Sequence, residues 1–325
     1  MSQTDSRLTL LLIVGWVGLL EASVVACEDE HPQVTRTPIV KFSLNDLQQR
    51  PIIEMAFDPR GLGTVKTTDE AASNWVRDSE KSGAWDYREW QWWKGHPWGD
   101  SCRPRYWTTA QFSTDKRSVR IQYRVDGFDC EQKFFLPGIV DAKSPHWDVV
   151  ISVKNSSGQD VEEYGQFFAC YTNFNEPDSF WFWEAGNQLV RFADRGVEHL
   201  NGYVANPQAY FLSGGAIPHC PRGDGKIVAK WHRPVLVSQA SPGGWRSVIM
   251  LDPEFTAGLS QGIHGGAMDY IIFPGTRATV FEHGTSFSVH VRHYLLKSPK
   301  LPSPATIETL WEEFRVSHES IQNRK

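Results

Sequence analysis

V-R-I-Q-Y-R-V-D-G-F-D-C-E-Q-K-F-F-L, residues 119–136, alternates apolar and polar side chains on both sides of Asp126-Gly127. Val119, Ile121, Tyr123 and Val125 share one face of the first run, and Phe128, Cys130, Phe134 and Leu136 share one face of the second. Asp-Gly supports the positive φ angles of a type I′ turn, whose twist matches the strands it joins. With that turn Val125 stands opposite Phe128, Tyr123 opposite Cys130 and Val119 opposite Phe134. The segment is a hairpin, and its two strands bury one shared face.

Working outward, Trp147, Val149, Ile151 and Val153 alternate before a turn at Asn155-Ser156-Ser157-Gly158. Aromatic-rich runs at 164–172 and 180–183 read as strands, as do 188–192, 209–212, 235–239, 245–251, 270–273 and 285–296. In the last of these Phe287, Val289, Val291, His293 and Leu295 share a face, which marks His293 as a core histidine and leaves His290 on the other face. Ile307, Leu310, Trp311 and Phe314 follow helical spacing, with Ser303 and Pro304 suited to the N-cap and first turn. They predict a short C-terminal helix against the sheet edge, and a second short helix is expected over 44–49. Strands that follow one another without helical crossovers predict an all-β fold, a large antiparallel β-sandwich. Residues 37–325 read as one domain, preceded by a solvated tether at 27–36.

The densest chemistry lies in W-D-Y-R-E-W-Q-W-W-K-G-H-P-W-G-D-S-C-R-P-R-Y-W, residues 85–107. Indole offers a flat apolar face and one N–H donor, which suits a surface that is partly dry and partly wet. Sugars present the complement, C–H patches rimmed by hydroxyls. Trp92, Trp93 and Trp98 are therefore candidates for stacking, and His96 for proton transfer near neutral pH. Asp100 can grip hydroxyls, while Arg103 and Arg105 can hold an anionic group through paired N–H donors. A second segment, S-G-G-A-I-P-H-C-P-R-G-D-G at 213–225, lets a ligand approach its backbone and carries His219 and Arg222. His232 follows in W-H-R-P, residues 231–234. The two segments are expected to converge on one site. Each has a bland reading too, an aromatic lid or a structural turn. A third group holds His264, Asp269, His290 and His293, and Glu89, Asp100, Glu184 and Asp269 are the carboxylates available for acid–base work.

Three features also carry a resemblance: V-D-G-F-D-C at 125–130, W-D-V-V-I-S-V-K-N-S-S-G-Q-D-V at 147–161 before a Tyr/Phe-rich strand, and the ending F-E-H-G-T-S-F-S-V-H-V-R-H-Y at 281–294. In this order they resemble the galactose mutarotase-like supersandwich, a two-sheet fold used by aldose epimerases and several polysaccharide-active enzymes. The resemblance implies a carbohydrate as ligand or substrate. That family's catalytic His and Glu are not carried over to any residue of this chain.

A net charge of -5 and the lack of a basic tract argue against nucleic acid as a partner. The phosphate-loop order G-x-x-x-x-G-K-[ST] does not occur, no cofactor is implied, and no residue spacing supports a metal site. Cys102, Cys130, Cys170 and Cys220 could pair or remain buried thiols. The expectation is a carbohydrate-binding protein, with epimerase- or lyase-like proton transfer if it is an enzyme. A noncatalytic carbohydrate-binding or cell-envelope role is the alternative. The sequence assigns no oligomeric state.

Residues 1–26 read as a signal peptide. An apolar run from Leu8 to Leu20 is shorter than the roughly 20 residues a spanning helix needs. It ends at Val24-Val25-Ala26-Cys27, which permits cleavage after Ala26 and also resembles a bacterial lipobox, with lipid on Cys27 as a membrane anchor. An extracytoplasmic location is expected, secreted or held at the envelope. N-terminal mass analysis of the protein from its native host should find Cys27 first, and an intact Met1 would refute export.

Overall fold

The computed structural model describes residues 40–58, 61–70, 75, 88–94, 111–115, 117–172, 180–197, 202–209, 226–261, 267–276 and 279–322. β1 (Val40–Asn45), β2 (Pro51–Asp58) and β3 (Gly61–Thr67) form a three-stranded antiparallel sheet. Then come β4 (Arg88–Trp92), β5 (Gln111–Thr114), β6 (Ser118–Val125), β7 (Phe128–Phe135), β8 (His146–Asn155), β9 (Val161–Glu162) and β10 (Gly165–Thr172). β11 (Phe180–Glu184), β12 (Gln188–Arg191), β13 (Tyr203–Ala205), β14 (Ile227–Ser238) and β15 (Trp245–Leu251) follow. β16 (Thr256–Gln261), β17 (Ala267–Ile272), β18 (Val280–Phe281), β19 (Ser286–Lys297) and α1 (Pro304–Gln322) complete the chain.

Fourteen strands make one sheet, ordered β4-β10-β17-β16-β13-β14-β15-β19-β8-β7-β6-β5, with β11 on β14 and β12 on β11. β14 belongs to both halves. Ile227, Ala229 and Lys230 pair with β13, and Val235–Val237 pair with β15. The halves bury their facing sides in one core: Val119, Phe128, Ile151, Ile249 and Val291 from one, Val204, Leu259, Met268 and Tyr270 from the other. This is the all-β sandwich that the alternation predicts. One pair departs from it, because β13 runs parallel to β14. A parallel neighbour cannot be reached by a tight turn, and a long connection separates Ala205 from Ile227.

The hairpin has the register read from the sequence: Val125 opposite Phe128, Tyr123 opposite Cys130, Val119 opposite Phe134. Asp126 and Gly127 have φ of 49° and 90°, the positive values the turn demands. The turn packs on the next motif, where buried Asn155 donates from Nδ2 to the Gln159 and Phe281 carbonyls at 2.9 and 2.8 Å. Its Oδ1 accepts from the N–H and hydroxyl of Ser157. Cys130 is buried in the core.

Two helical expectations need correction. The segment at 44–49 ends β1 and turns around Asp46, whose Oδ1 accepts from the N–H groups of Gln48 and Arg50, both at 2.9 Å. Asp at that position caps a turn as readily as a helix. The C-terminal helix is 19 residues long, not short, with the Ser303 hydroxyl accepting from the Thr306 N–H at 3.1 Å. It lies across the outer sheet face, not at an edge. Ile307, Leu310, Trp311 and Phe314 pack on Trp183, Val235, Val237, Val248 and Met250. Those strands are apolar on both sides (β15 is buried at every position), so their outer face needs its own cover.

A Cβ on Gly127 would stand 2.8 Å from the Ser157 Cα, in a backbone region that L-residues avoid. Gly127→Ala should therefore lower unfolding free energy by about 1–3 kcal/mol. Denaturant melts would read it, and an unchanged midpoint would mean that the turn is free to shift.

Candidate functional site

Asp269 is wholly buried in β17, among the buried apolar residues Met268, Tyr270, Ile271 and Ile272. A carboxyl group there costs stability and is kept only where something compensates. On one side its register partner is Ser260 of β16, whose hydroxyl donates to the Gly202 carbonyl at 2.9 Å. On the other side β10 slips: Phe168 pairs with Tyr270 and Tyr171 with Met268, so Ala169 and Cys170 together oppose Asp269. A bulge of this kind bends its strand, re-aims side chains and is common beside active sites. Arg88 of β4 is in register with Ala169, next to the bulge.

The same end of the sheet gathers chain entries and exits. β10 leaves after Thr172, β16 leaves after Gln261, and β17 enters at Ala267 in register with Thr172. Tyr203 and Ile227, in register, open β13 and β14. The segments 76–87, 173–179, 198–201, 210–225 and 262–266 thus all attach at the Asp269 end, and His219, Arg222 and His264 belong to them by sequence. Trp92 closes β4 at the opposite end, in register with Gly165, and the Lys94 N–H bonds to the Glu162 carbonyl there. The segment 95–110 leaves from that side. His96, Trp98, Asp100, Arg103, Arg105, His219 and Arg222 lie outside the described residues, as does the side chain of Trp92.

Trp93 is half-buried and packs its ring 5.2 Å from Phe128, against the core. His232 is exposed, edge-on to Trp183 at 5.2 Å, and lines a cleft of about 680 Å³ with Asn206, Trp231, Glu254 and Thr276. That cleft follows Ala205 and Ile272 and so lies at the other end of the sheet from Asp269. Glu184 is held by Arg195, whose Nε and Nη2 donate to its two oxygens at 2.6 and 2.5 Å. This pair clamps the β11–β12 hairpin to the turn after it.

No protein-family model matches the chain, and no curated protein matches it. Solved structures do. A putative aldose 1-epimerase from Escherichia coli K12 is 12% identical, with 79% of this chain and 99% of that one covered and a TM-score of 0.42. The GalM/aldose epimerase homologue from C. elegans is 7% identical over 81% of this chain and 99% of that one, with a TM-score of 0.48. A galactose mutarotase-like protein from Lactobacillus casei is 10% identical over 79% and 100%, with a TM-score of 0.41. These are proteins of the kind named by the sequence resemblance.

Of the other titratable candidates, His264 and the side chain of Glu89 lie outside the described residues, while His290 and His293 are accounted for by packing. His290 is not open to a ligand, since α1 covers it and Phe314 packs on its ring at 4.7 Å. Its Nε2 meets Asp148 Oδ1 at 2.7 Å, and Arg292 grips both oxygens of Asp148 at 2.7 and 2.9 Å. Burial opposes the charge of Asp148, but the bonds from His290 and Arg292 outweigh it and hold the carboxyl well below its usual range. Alternation could not show this network, because Asp148 and Arg292 meet across β8 and β19, 144 positions apart. His293 is the core residue expected, stacked flat on Trp147 at 5.1 Å, with burial pushing its imidazole down to about 3.

The folded chain therefore keeps His293 neutral down to about pH 3, whereas the unfolded chain protonates it near pH 6.5. Its contribution is full above that upper value and falls as the pH drops toward the lower one, by on the order of 4 kcal/mol. His293→Phe should flatten the pH dependence of unfolding free energy between about pH 6 and about pH 4. A variant with the parent's slope would show that another group carries it.

Proposed function

We propose that the protein binds a carbohydrate at the Asp269 end of its sheet and transfers a proton on it, as an epimerase or lyase does. The observation that carries this reading is the buried carboxyl of Asp269, set opposite a bulge where five connecting segments enter the sheet. Asp269 acts as the proton acceptor. His219 is the partner that returns a proton, and Arg222 holds the charge that develops on the sugar. The resemblance of the hairpin, the Asn155 turn and the last strand to galactose mutarotase-like proteins supports a sugar as the ligand. The aromatic segment around Trp98 supports it too, as indole faces suit sugar C–H surfaces. The chain is exported and meets its ligand outside the cytoplasm.

The mature protein should be incubated with a panel of free sugars and oligosaccharides, with NMR following both bound ligand and product. Asp269→Asn keeps the volume and removes the base, so turnover should fall by at least about a hundredfold while binding persists. Binding without turnover in the parent would establish the noncatalytic alternative. An Asp269→Asn variant with full turnover would remove Asp269 from the chemistry.

A further inference from the structure

On the outer face of the sheet two imidazoles meet under α1. His290 of β19 and His318 of α1 stack with ring centres 5.5 Å apart and planes 7° apart. Each has its own carboxylate. His290 bonds to Asp148 of β8, and His318 Nε2 stands 3.4 Å from Asp252, which follows β15. Phe314 packs against both rings, at 4.7 and 6.1 Å. Among the described residues, this contact ties the last turns of the helix to the sheet.

The first half of α1 is held differently. Ile307, Leu310 and Trp311 sit in the apolar cluster, and the Arg233 guanidinium packs over Trp183 and Trp311 while pairing with Glu308 at 2.7 Å and Glu312 at 3.6 Å. An imidazole also borders that anchor, the exposed His232, which stands edge-on to Trp183. Beside it α1 borders a cleft of about 890 Å³ lined by His146, Arg292, Thr309, Glu313 and Val316.

We propose that the second half of α1, from Phe314 to Gln322, is an acid-released latch whose catch is the His290–His318 stack. One proton on the stacked pair is accommodated by Asp148 and Asp252, but two positive rings at this distance repel. The groups facing the catch fix the sign. From the sheet come His146, Asp148, Arg292 and Tyr294, from the turn after β15 come Asp252 and Glu254, and from the helix come Glu313 and His318. Burial holds His290 and His146 below the ordinary imidazole range, so both take up protons more readily once the helix end leaves. The Asp148 carboxylate favours a proton on His290, and the Arg292 guanidinium and the His318 ring oppose it. Burial pushes the Asp252 carboxyl up, which opposes release, but one carboxyl acts against two imidazoles. Release would bare the Asp148–Arg292 pair and the apolar outer strands beneath Phe314.

Amide hydrogen exchange of the full chain at about pH 7.5 and about pH 5.5, corrected for intrinsic rates, tests this. Exchange over 314–322 should rise about tenfold relative to 304–311, while the hairpin at 119–136 stays protected. His318→Phe keeps a ring on His290 and removes the repelling imidazole, and should leave a rise smaller than the parent's, carried by His290 and His146. Equal protection of 314–322 at both values would overturn the latch. So would a rise shared by 304–311 or 119–136, or the same rise in His318→Phe.

Discussion

The architecture depends on one strand that changes partners midway. β14 is twelve residues long, and Ile227–Lys230 belong to the half that holds Asp269, while Val235–Val237 belong to the half that holds the hairpin. A sheet of this many strands does not stay open and flat, since its twist accumulates until it curls or divides. Here the division falls within β14. The two halves can then face each other across Val204, Leu259 and Tyr270 on one side and Ile151, Ile249 and Val291 on the other. The one parallel neighbour, β13, is a consequence of the same division.

The half built from β5 to β8 and β19 was legible because each strand is apolar on one face only. Period-two alternation then names the face and, with the Asp126-Gly127 turn, the register of β6 and β7 to the residue. Where both faces are buried that signal vanishes. β16 reads T-A-G-L-S-Q, with small residues and two polar ones, yet every position is buried. Nothing in its local pattern marks a strand. β15 announces itself by β-branched and aromatic content, but alternation could not reveal a second cover on its outer side. The true length and seat of α1 follow from that hidden face, which is why the helix lies across the sheet and not along its edge.

Less of the candidate site could be read. Asp269 stood in the sequence as one carboxylate among several, with nothing to separate it from Glu184. Long-range pairing separates them. Glu184 faces Arg195 eleven residues later and is spent on a local clamp. Asp269 stands opposite a bulge in a strand nearly a hundred residues earlier, a relation no local window contains. The same holds for Asp148 and Arg292, whose partnership spans 144 positions. Histidines divided more predictably: strand phase put His293 in the core and His290 on the opposite face, and both lie there. What phase could not supply was the helix over His290, which turns an outward residue into a buried one.

Each half of the fold buries ionisable groups, but on different terms. On the outer face the carboxylate of Asp148 is matched by Arg292 and His290, and an amphipathic helix closes the arrangement. A buried ion pair of this quality contributes little net stability and becomes costly only when one partner is removed. Its position beneath a helix therefore favours specificity in how α1 docks, since only one placement of Phe314 and His318 covers the network. At the Asp269 end the pairing itself is irregular, with β10 bulging against β17. Loops supported by a rigid sheet can vary in sequence without disturbing the strands below. The regular pairing of β6, β7, β8 and β19 thus contrasts with the slipped pairing around Asp269.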